Sequence, residues 1–322
     1  MILSRSDEYQ SANRVAKEFR QIEWDASLED DCRQIVRLAV REDLDRLFDW
    51  TTVCLVPSGV AAQAAVMSRQ SGVVAGLRVA ELALAEMDVQ SRWRGRAADG
   101  DAIESGQVLA EIAGAARSLL TVERILLNFI SRLSGIATLT ARYVDAVRGT
   151  AARIYDTRKT TPGWRRLEKY AVRMGGGHNH RLGLFDAILI KDNHLALGAA
   201  GRDAAQLTPG QAVARARQFA RSLAAGEKGR DLVVEIEVDT LVQLADVLPE
   251  GPDLVLLDNM SAGMLRQAVA LRDRVAPGVE LEVSGGVTLE TVHAIAGTGV
   301  ERISVGALTH SAVALDVALD WR

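Results

Sequence analysis

The stretch from Tyr155 to Arg181, YDTRKTTPGWRRLEKYAVRMGGGHNHR, concentrates groups able to bind anions. It carries Arg158, Lys159, Arg165, Arg166, Lys169, Arg173 and Arg181, with His178, His180 and the run Gly175, Gly176, Gly177. Arginine offers a planar fork matched to a carboxylate, and lysine a point charge suited to a phosphate. Arg165, Arg166 and Arg173 lie on the helix-patterned RRLEKYAVRM, where a solvated face is the simplest expectation. Arg158 and Lys159 differ, because they directly follow an apolar run. His180 and Arg181 follow a glycine loop whose flexibility would bring them to the same place. With Lys191, these four form a cluster that has no structural purpose legible in the sequence.

Two further sets accompany the cations. Glu237 and Asp258 each end an apolar run. Carboxylates in a basic pocket hold ribose hydroxyls or a Mg²⁺ ion that carries phosphate oxygens. Salt bridges to neighbouring cations are the alternative. Glu235 has the parity of Glu237, so both remain candidates for facing a ligand. The third set is Ser284-Gly285-Gly286 and Gly306-Ala307, where a missing Cβ lets backbone N–H groups approach an anion. Cations for carboxylates, acids for sugar or metal, and glycines for phosphate describe a pocket for a small polyanion and a phosphorylated sugar.

These groups need elements that present them together. Six short apolar runs, ARIY, AILI, LVVEIEV, LVLL, LEV and RISV, are separated by helical or loop stretches. Continuous Val/Ile/Leu runs of this kind mark buried parallel strands in βαβ units. Each run ends in charged, amide or glycine residues. A closed α/β barrel collects all its strand ends at one rim, whereas an open doubly wound sheet concentrates function at one switch point. The spread of polar ends over six runs favours the barrel. Upstream, a helix is expected from Leu28 to about Asp43 and a β-rich layer over 60–112. One or two long helices with a small-residue seam, SRLSGIAT, are expected over 117–148, and an irregular or helical extension over 1–30.

Composition narrows the class. At 322 residues and 48% hydrophobic content the chain can bury one large core or two moderate ones. A net charge of −4 argues against a polyanion binder such as a nucleic-acid protein, so a basic site must be local. Cys32 and Cys54 form no CxxC pair, which speaks for ordinary thiols rather than disulfides or zinc. No apolar run approaches the ~18 residues of a membrane span, and the N-terminus lacks the apolar core of a signal peptide. The expectation is a cytoplasmic enzyme.

The segments GQVLAEIAGAARSLLTVERILLNFISRLSGIAT, DTRKTTPGWRRLEKYAVRMGGGHNHRLGLFDAILIKDNH, VVEIEV, LVLLDNM, LEVSGGV and ISVGALTHSAVALD, in that order, resemble quinolinate phosphoribosyltransferases, the carboxylating nicotinate-nucleotide pyrophosphorylases. The resemblance covers most of the chain from about residue 95 onward. It implies transfer of a phosphoribosyl group from phosphoribosyl pyrophosphate to quinolinate with decarboxylation, Mg²⁺ as cofactor, and a homodimer or larger assembly of dimers. It implies an α/β fold: an N-terminal open-faced α/β sandwich over 1–130, onto which 309–322 pack back, and an incomplete α/β barrel of parallel strands over 131–308. Matched residue by residue, quinolinate falls to Arg158, His180, Arg181, Lys191 and the partner subunit's Arg124. Phosphoribosyl pyrophosphate falls to Thr157, Lys159, Lys191, Glu237, Asp258, Ser284, Gly285, Gly286, Gly306 and Ala307, and Mg²⁺ to Glu237 and Asp258.

The chain departs from the family on its N-terminal side, where REDLDRLFDWTTVCLVP replaces an acidic-Gly-Asp turn before a Thr pair. Two rivals are weaker. A paralogous phosphoribosyltransferase-like protein tied to molybdate transport is disfavoured by the intact DTRKT and GGGHNHR. A Schiff-base role for Lys191 needs a desolvated lysine, not one crowded by charges.

Overall fold

Polar caps start the first helices. Asp25 opens α1 (Ala26–Leu44), its carboxylate accepting from Leu28 N at 2.8 Å; Leu28, Cys32 and Val36, spaced four apart, form the buried stripe. Asp49 does the same for α2 (Trp50–Leu55), accepting from Thr52 N at 3.0 Å. The computed structural model describes residues 18–87, 90–198, 207–224 and 232–322. Most of the extension expected over 1–30 therefore lies outside the described residues.

The expected β-rich layer follows as β1 (Ala61–Ser68), β2 (Gly72–Val73), α3 (Leu77–Glu86), β3 (Ser91–Gly95), β4 (Ala102–Ile103) and β5 (Val108–Ala115). A single long helix comes next, α4 (Ala116–Ala146). The later elements are β6 (Arg153–Tyr155), α5 (Arg165–Met174), β7 (Ala187–Ile190), α6 (Asp192–Gly198), α7 (Pro209–Ala224), β8 (Val233–Val238), α8 (Leu241–Val247) and β9 (Leu254–Asp258). The chain closes with α9 (Ala262–Val275), β10 (Glu280–Ser284), α10 (Val292–Ala296), β11 (Arg302–Ser304), α11 (Ala307–His310) and β12 (Val317–Trp321). All six apolar runs are strands. No described helix is long and apolar enough to cross a membrane.

The chain divides into two compact units. Unit one holds Gly183–Ile303, Thr150–Ala152 and the segment ending at Phe19; unit two holds Arg20–Gly149, Arg153–Leu182 and Ser304–Arg322. In unit two an antiparallel sheet runs in the order β12-β1-β5-β3, with α3 and α4 packed on it as an open-faced α/β sandwich. Strand β12 lies along β1, from Trp321 opposite Ala64 to Val317 opposite Ser68. The small-residue seam of α4 has a clear purpose. Ser134 Oγ accepts from Ala75 N at 3.0 Å, and Thr138 Oγ1 from Val73 N at 2.9 Å. At Gly135 a Cβ would sit 2.1 Å from Val313 O, so the helix can carry only hydrogen there.

In unit one the parallel order is β11-β10-β9-β8-β7, with helices between successive strands. Registers place Glu235 opposite Leu254, Leu254 opposite Glu280, Glu237 opposite Leu256, and Glu282 opposite both Leu256 and Arg302. Asp258 stands opposite Ser284. Because side chains alternate along a strand, all of these share one face. Arg302 is fully buried, paired with Glu280 and, at 3.0 Å, with Glu18. In unit two the chain leaving β11 meets β6, where Val305 N donates to Tyr155 O at 2.9 Å. The five strands of unit one and the helices between them form the parallel part of an incomplete α/β barrel.

Candidate active site

In unit two the site is built from the end of β6. The HNHR segment lies alongside that strand: His178 N donates to Ile154 O at 2.8 Å, and Asp156 N to His178 O at 3.0 Å. Asp156 and Lys169 then form a completely buried ion pair. The Lys169 ammonium also donates to His180 O at 2.8 Å, and the carboxylate accepts from His180 N at 2.9 Å and Asn179 Nδ2 at 2.7 Å. Burial pushes the Asp156 carboxyl above the usual range, against the pull of the Lys169 charge. His180 and Arg181 are themselves buried, and Arg181 N donates to His180 Nδ1 at 2.8 Å. In that bond Nδ1 is the acceptor, which leaves Nε2 as the nitrogen able to donate.

Glycine packing, rather than flexibility, brings these residues here, which corrects the expectation for the glycine loop. A Cβ at Gly175 would lie 2.3 Å from Ala137 O, and one at Gly177 2.7 Å from Thr140 Cγ2, so both glycines press backbone against α4. Only Gly176 is exposed, with φ +82°.

Arg158 is half-buried, and its Nε has no hydrogen-bond partner. Desolvation first, and then the Arg158 charge, lower the pKa of Arg165, so the two guanidiniums press on each other. Arg165 donates to Thr160 Oγ1 and Leu182 O, Arg166 pairs with Asp31 at 3.0 Å, and Arg173 donates to Gly177 O. All three are half-buried and engaged, not a solvated face as expected. Lys159 is exposed; its N–H donates to Thr157 Oγ1 at 3.0 Å, and its carbonyl accepts from Thr309 Oγ1 at 2.7 Å. At Gly306 a Cβ would meet Lys159 Cδ at 3.0 Å and His310 Nε2 at 3.2 Å. That glycine makes room for two basic side chains, where the sequence suggested a bare N–H cradle. Ala307 follows as the first residue of α11.

In unit one Lys191 follows β7 and pairs with Glu237 at the end of β8, as the register of Ile190 with Ile236 requires. Glu235 points to the same face but is fully buried, whereas Glu237 is half-buried at the rim. Asp258 accepts from Asn259 Nδ2 at 2.9 Å, and Asn259 N donates to Ser284 O at 3.1 Å. Asn259 adopts φ +52° and Gly285 φ +93°, and a Cβ on Gly285 would fall 2.2 Å from Asn259 Oδ1. Gly286, at φ +60°, faces open space.

Residues 49–134 match the quinolinate phosphoribosyl transferase N-terminal domain, and residues 136–320 match its C-terminal domain. The chain belongs to the quinolinate phosphoribosyltransferase family. It is similar to the nicotinate-nucleotide pyrophosphorylase [carboxylating] of Mycobacterium leprae, 47% identical over 90% of this chain and 97% of that protein. It is also similar to quinolinate phosphoribosyltransferase [decarboxylating] 1 of Nicotiana glauca, 38% identical over 90% of this chain and 82% of that one. Among solved structures, the nicotinate-nucleotide pyrophosphorylase from Francisella tularensis superimposes with a TM-score of 0.82 at 34% identity, covering 95% of this chain and all of that one.

Within this quinolinate phosphoribosyltransferase, unit two gathers Thr157, Arg158, Lys159, His180, Arg181, Gly306 and Ala307, and unit one gathers Lys191, Glu237, Asp258, Ser284, Gly285 and Gly286. Arg124 is exposed on α4, away from the β6 end in sequence and one turn before exposed Asn128. Asp156 and His310 were given no role by the sequence reading, and Lys169 was named there only as one cation of the stretch, not as the partner of Asp156; His310, one turn beyond Gly306 in GALTH, was the most accessible to it. The Lys191–Glu237 pair is the opposite of the desolvated lysine that Schiff-base chemistry needs. For Mg²⁺ the donors fit. Glu237 and Asp258 offer hard carboxylate oxygens on one face at adjacent strand ends, both partly open to solvent.

Proposed function

We propose that the cations of unit two hold the two carboxylates of quinolinate, and that Lys191, Glu237, Asp258 and the Ser284–Gly286 turn, with Thr157, Lys159, Gly306 and Ala307, hold phosphoribosyl pyrophosphate. The enzyme is a pentosyltransferase of NAD synthesis. It moves the phosphoribosyl group onto the pyridine nitrogen of quinolinate, releasing pyrophosphate and CO₂ and leaving nicotinate mononucleotide. The pyridine nitrogen attacks ribose C1 as pyrophosphate departs; the adjacent C2 carboxylate then leaves as CO₂, its bonding pair staying on C2, where the pyridinium charge stabilises it until a proton from solvent takes the vacated position. Arg158, His180 and Arg181 orient the diacid for that attack, and Lys159 and Lys191 offset the growing negative charge of the leaving group. Mg²⁺ held by Glu237 and Asp258 would supply further charge neutralisation at the phosphate oxygens.

The protein acts in the cytoplasm as a homodimer or an assembly of dimers, with Arg124 serving the partner's site. Its domains divide near residues 130 and 131.

The observation that carries this reading is the Arg158 guanidinium, half-buried beside Arg165 with Nε unpartnered. Like charges held this close and partly out of water are offset when an anion joins them. Calorimetric titration with quinolinate tests it. Arg158→Ala should weaken binding by about 2–5 kcal/mol, and equal affinities for both proteins would overturn the assignment.

A further inference from the structure

Asn179 sits between His178 and His180, and its polar groups are engaged from two sides. On the inner side Nδ2 donates to Asp156 Oδ2 at 2.7 Å and to Lys169 O at 2.9 Å. On the outer side stands Gln21, 158 residues earlier in the chain: its Nε2 donates to Asn179 O at 3.1 Å, and its Oε1 accepts from Asn179 N at 2.8 Å. The Gln21 side chain thus pairs with both backbone groups of one residue, as a neighbouring strand would. Ile22 N completes the grip by donating to Asn179 Oδ1 at 2.7 Å. The segment that delivers Gln21 is anchored in its own right. Ile22 is buried, the Trp24 and Tyr170 rings pack edge-to-face with centroids 5.5 Å apart, and the Arg78 guanidinium lies over the Trp24 ring at 5.6 Å.

We infer that Gln21 is a positioning residue for the diacid. Asn179 is bonded directly to His180, and Arg181 follows, so whatever holds the Asn179 backbone sets the backbone of both. The buried Asp156–Lys169 pair holds His180 from the inside through its N–H and carbonyl. On the outer side, the Gln21 amide bonds to both the N–H and the carbonyl of Asn179. Loss of its two bonds removes this anchor from the Asn179 main chain, and displacements of about 1 Å at a reacting site are enough to slow an enzyme up to about 100-fold. Gln21 acts through the loop, since both ends of its amide are spent on Asn179. This inference rests on the reading above that His180 and Arg181 bind quinolinate.

The test compares full-length wild type, Gln21→Met, Gln21→Glu and Arg181→Ala by steady-state kinetics in both substrates and by thermal unfolding. Gln21→Met keeps the side-chain length and removes both hydrogen bonds. It should raise KM for quinolinate about tenfold, leave KM for phosphoribosyl pyrophosphate unchanged and shift the unfolding midpoint little. In Gln21→Glu an ionised carboxylate faces the Asn179 carbonyl, and protonation restores a donor. Its quinolinate KM relative to wild type should therefore fall as pH drops toward the carboxyl range of about 4–5. A lower midpoint with both KM values at wild type would show a purely structural anchor and overturn the inference, as would equal rises in both KM values. If Arg181→Ala raises KM for quinolinate and Gln21→Met does not, this inference alone fails. If Arg181→Ala has no effect, the site reading fails with it. Should Gln21→Met not fold, the pH dependence of Gln21→Glu decides the matter, and a flat ratio counts against the role.

Discussion

Lys169 and Asp156 form an ion pair with neither side chain exposed to solvent, and the main chain of His180 bonds to both of its members. One buried pair thus ties α5 to the end of β6 and to the HNHR segment. Removing one partner strands the other. Lys169→Met should cost about 3–5 kcal/mol of folding stability, read by denaturant unfolding at neutral pH, and Lys169→Met with Asp156→Leu should recover part of it. The sign with pH follows from the raised Asp156 carboxyl. The stability it contributes is complete below the unfolded value of about 3.9 and disappears as pH rises through the folded value. The deficit of Lys169→Met should therefore deepen with rising pH. A cost below about 1 kcal/mol, the level of an exposed pair, would contradict the account.

Gly175→Ala tests whether close packing places the substrate segment. The new Cβ would meet Ala137 O at 2.3 Å and Thr140 Cβ at 2.7 Å, one of them helix backbone that cannot swing aside. A stability loss of about 1–3 kcal/mol and a raised KM for quinolinate are expected. A neutral result in both measurements would mean that α4 yields freely.

Gly285→Ala probes the turn after β10. At φ +93°, with Asn259 Oδ1 2.2 Å from the added carbon, the substitution is both strained and blocked. KM for phosphoribosyl pyrophosphate should rise by at least tenfold, about 1.4 kcal/mol, with quinolinate binding less affected. Gly286→Ala has open space and should be milder. Equal effects of the two would argue that strain alone, not the Asn259 contact, governs the turn.

The strand ends were readable because unbroken Val/Ile/Leu runs stop abruptly at Lys191, Glu237, Asp258 and Ser284, and a buried parallel strand leaves that signature. Helix α2 was not, since Thr51, Thr52 and Val53 favour strands; the Asp49 cap outweighs their propensity. Parity could not separate Glu235 from Glu237, and the register shows why: both share a face, and only depth distinguishes them. Lys169 looked like any other charge on an amphipathic helix. Its burial depends on Asp156 across the fold, and the role of Gln21 on Asn179, neither of which spacing can reveal. The glycines of GGGHNHR were noticed, but their tight seat on α4 depends on Ala137 and Thr140, residues of a different element.

Glu86 offers an electrostatic test away from the site. It is bound by Arg33 and by Arg37 at 2.6 Å, and the hydrogen bond from Arg37 first, then that from Arg33, hold its carboxyl below the usual value. A depressed carboxyl contributes stability above its unfolded pKa of about 4.3, and that contribution is lost as pH falls through the folded value. Glu86→Gln should therefore unfold at a lower temperature than wild type at neutral pH, and the gap should close below about pH 4. A gap that persists at acid pH would point to packing instead.

The most direct measurement is of products. Purified protein given quinolinate, phosphoribosyl pyrophosphate and Mg²⁺ should form nicotinate mononucleotide and CO₂ in equal amounts, and Arg158→Ala should suppress both together. Turnover of nicotinate in place of quinolinate, or nucleotide formed without CO₂, would contradict the account.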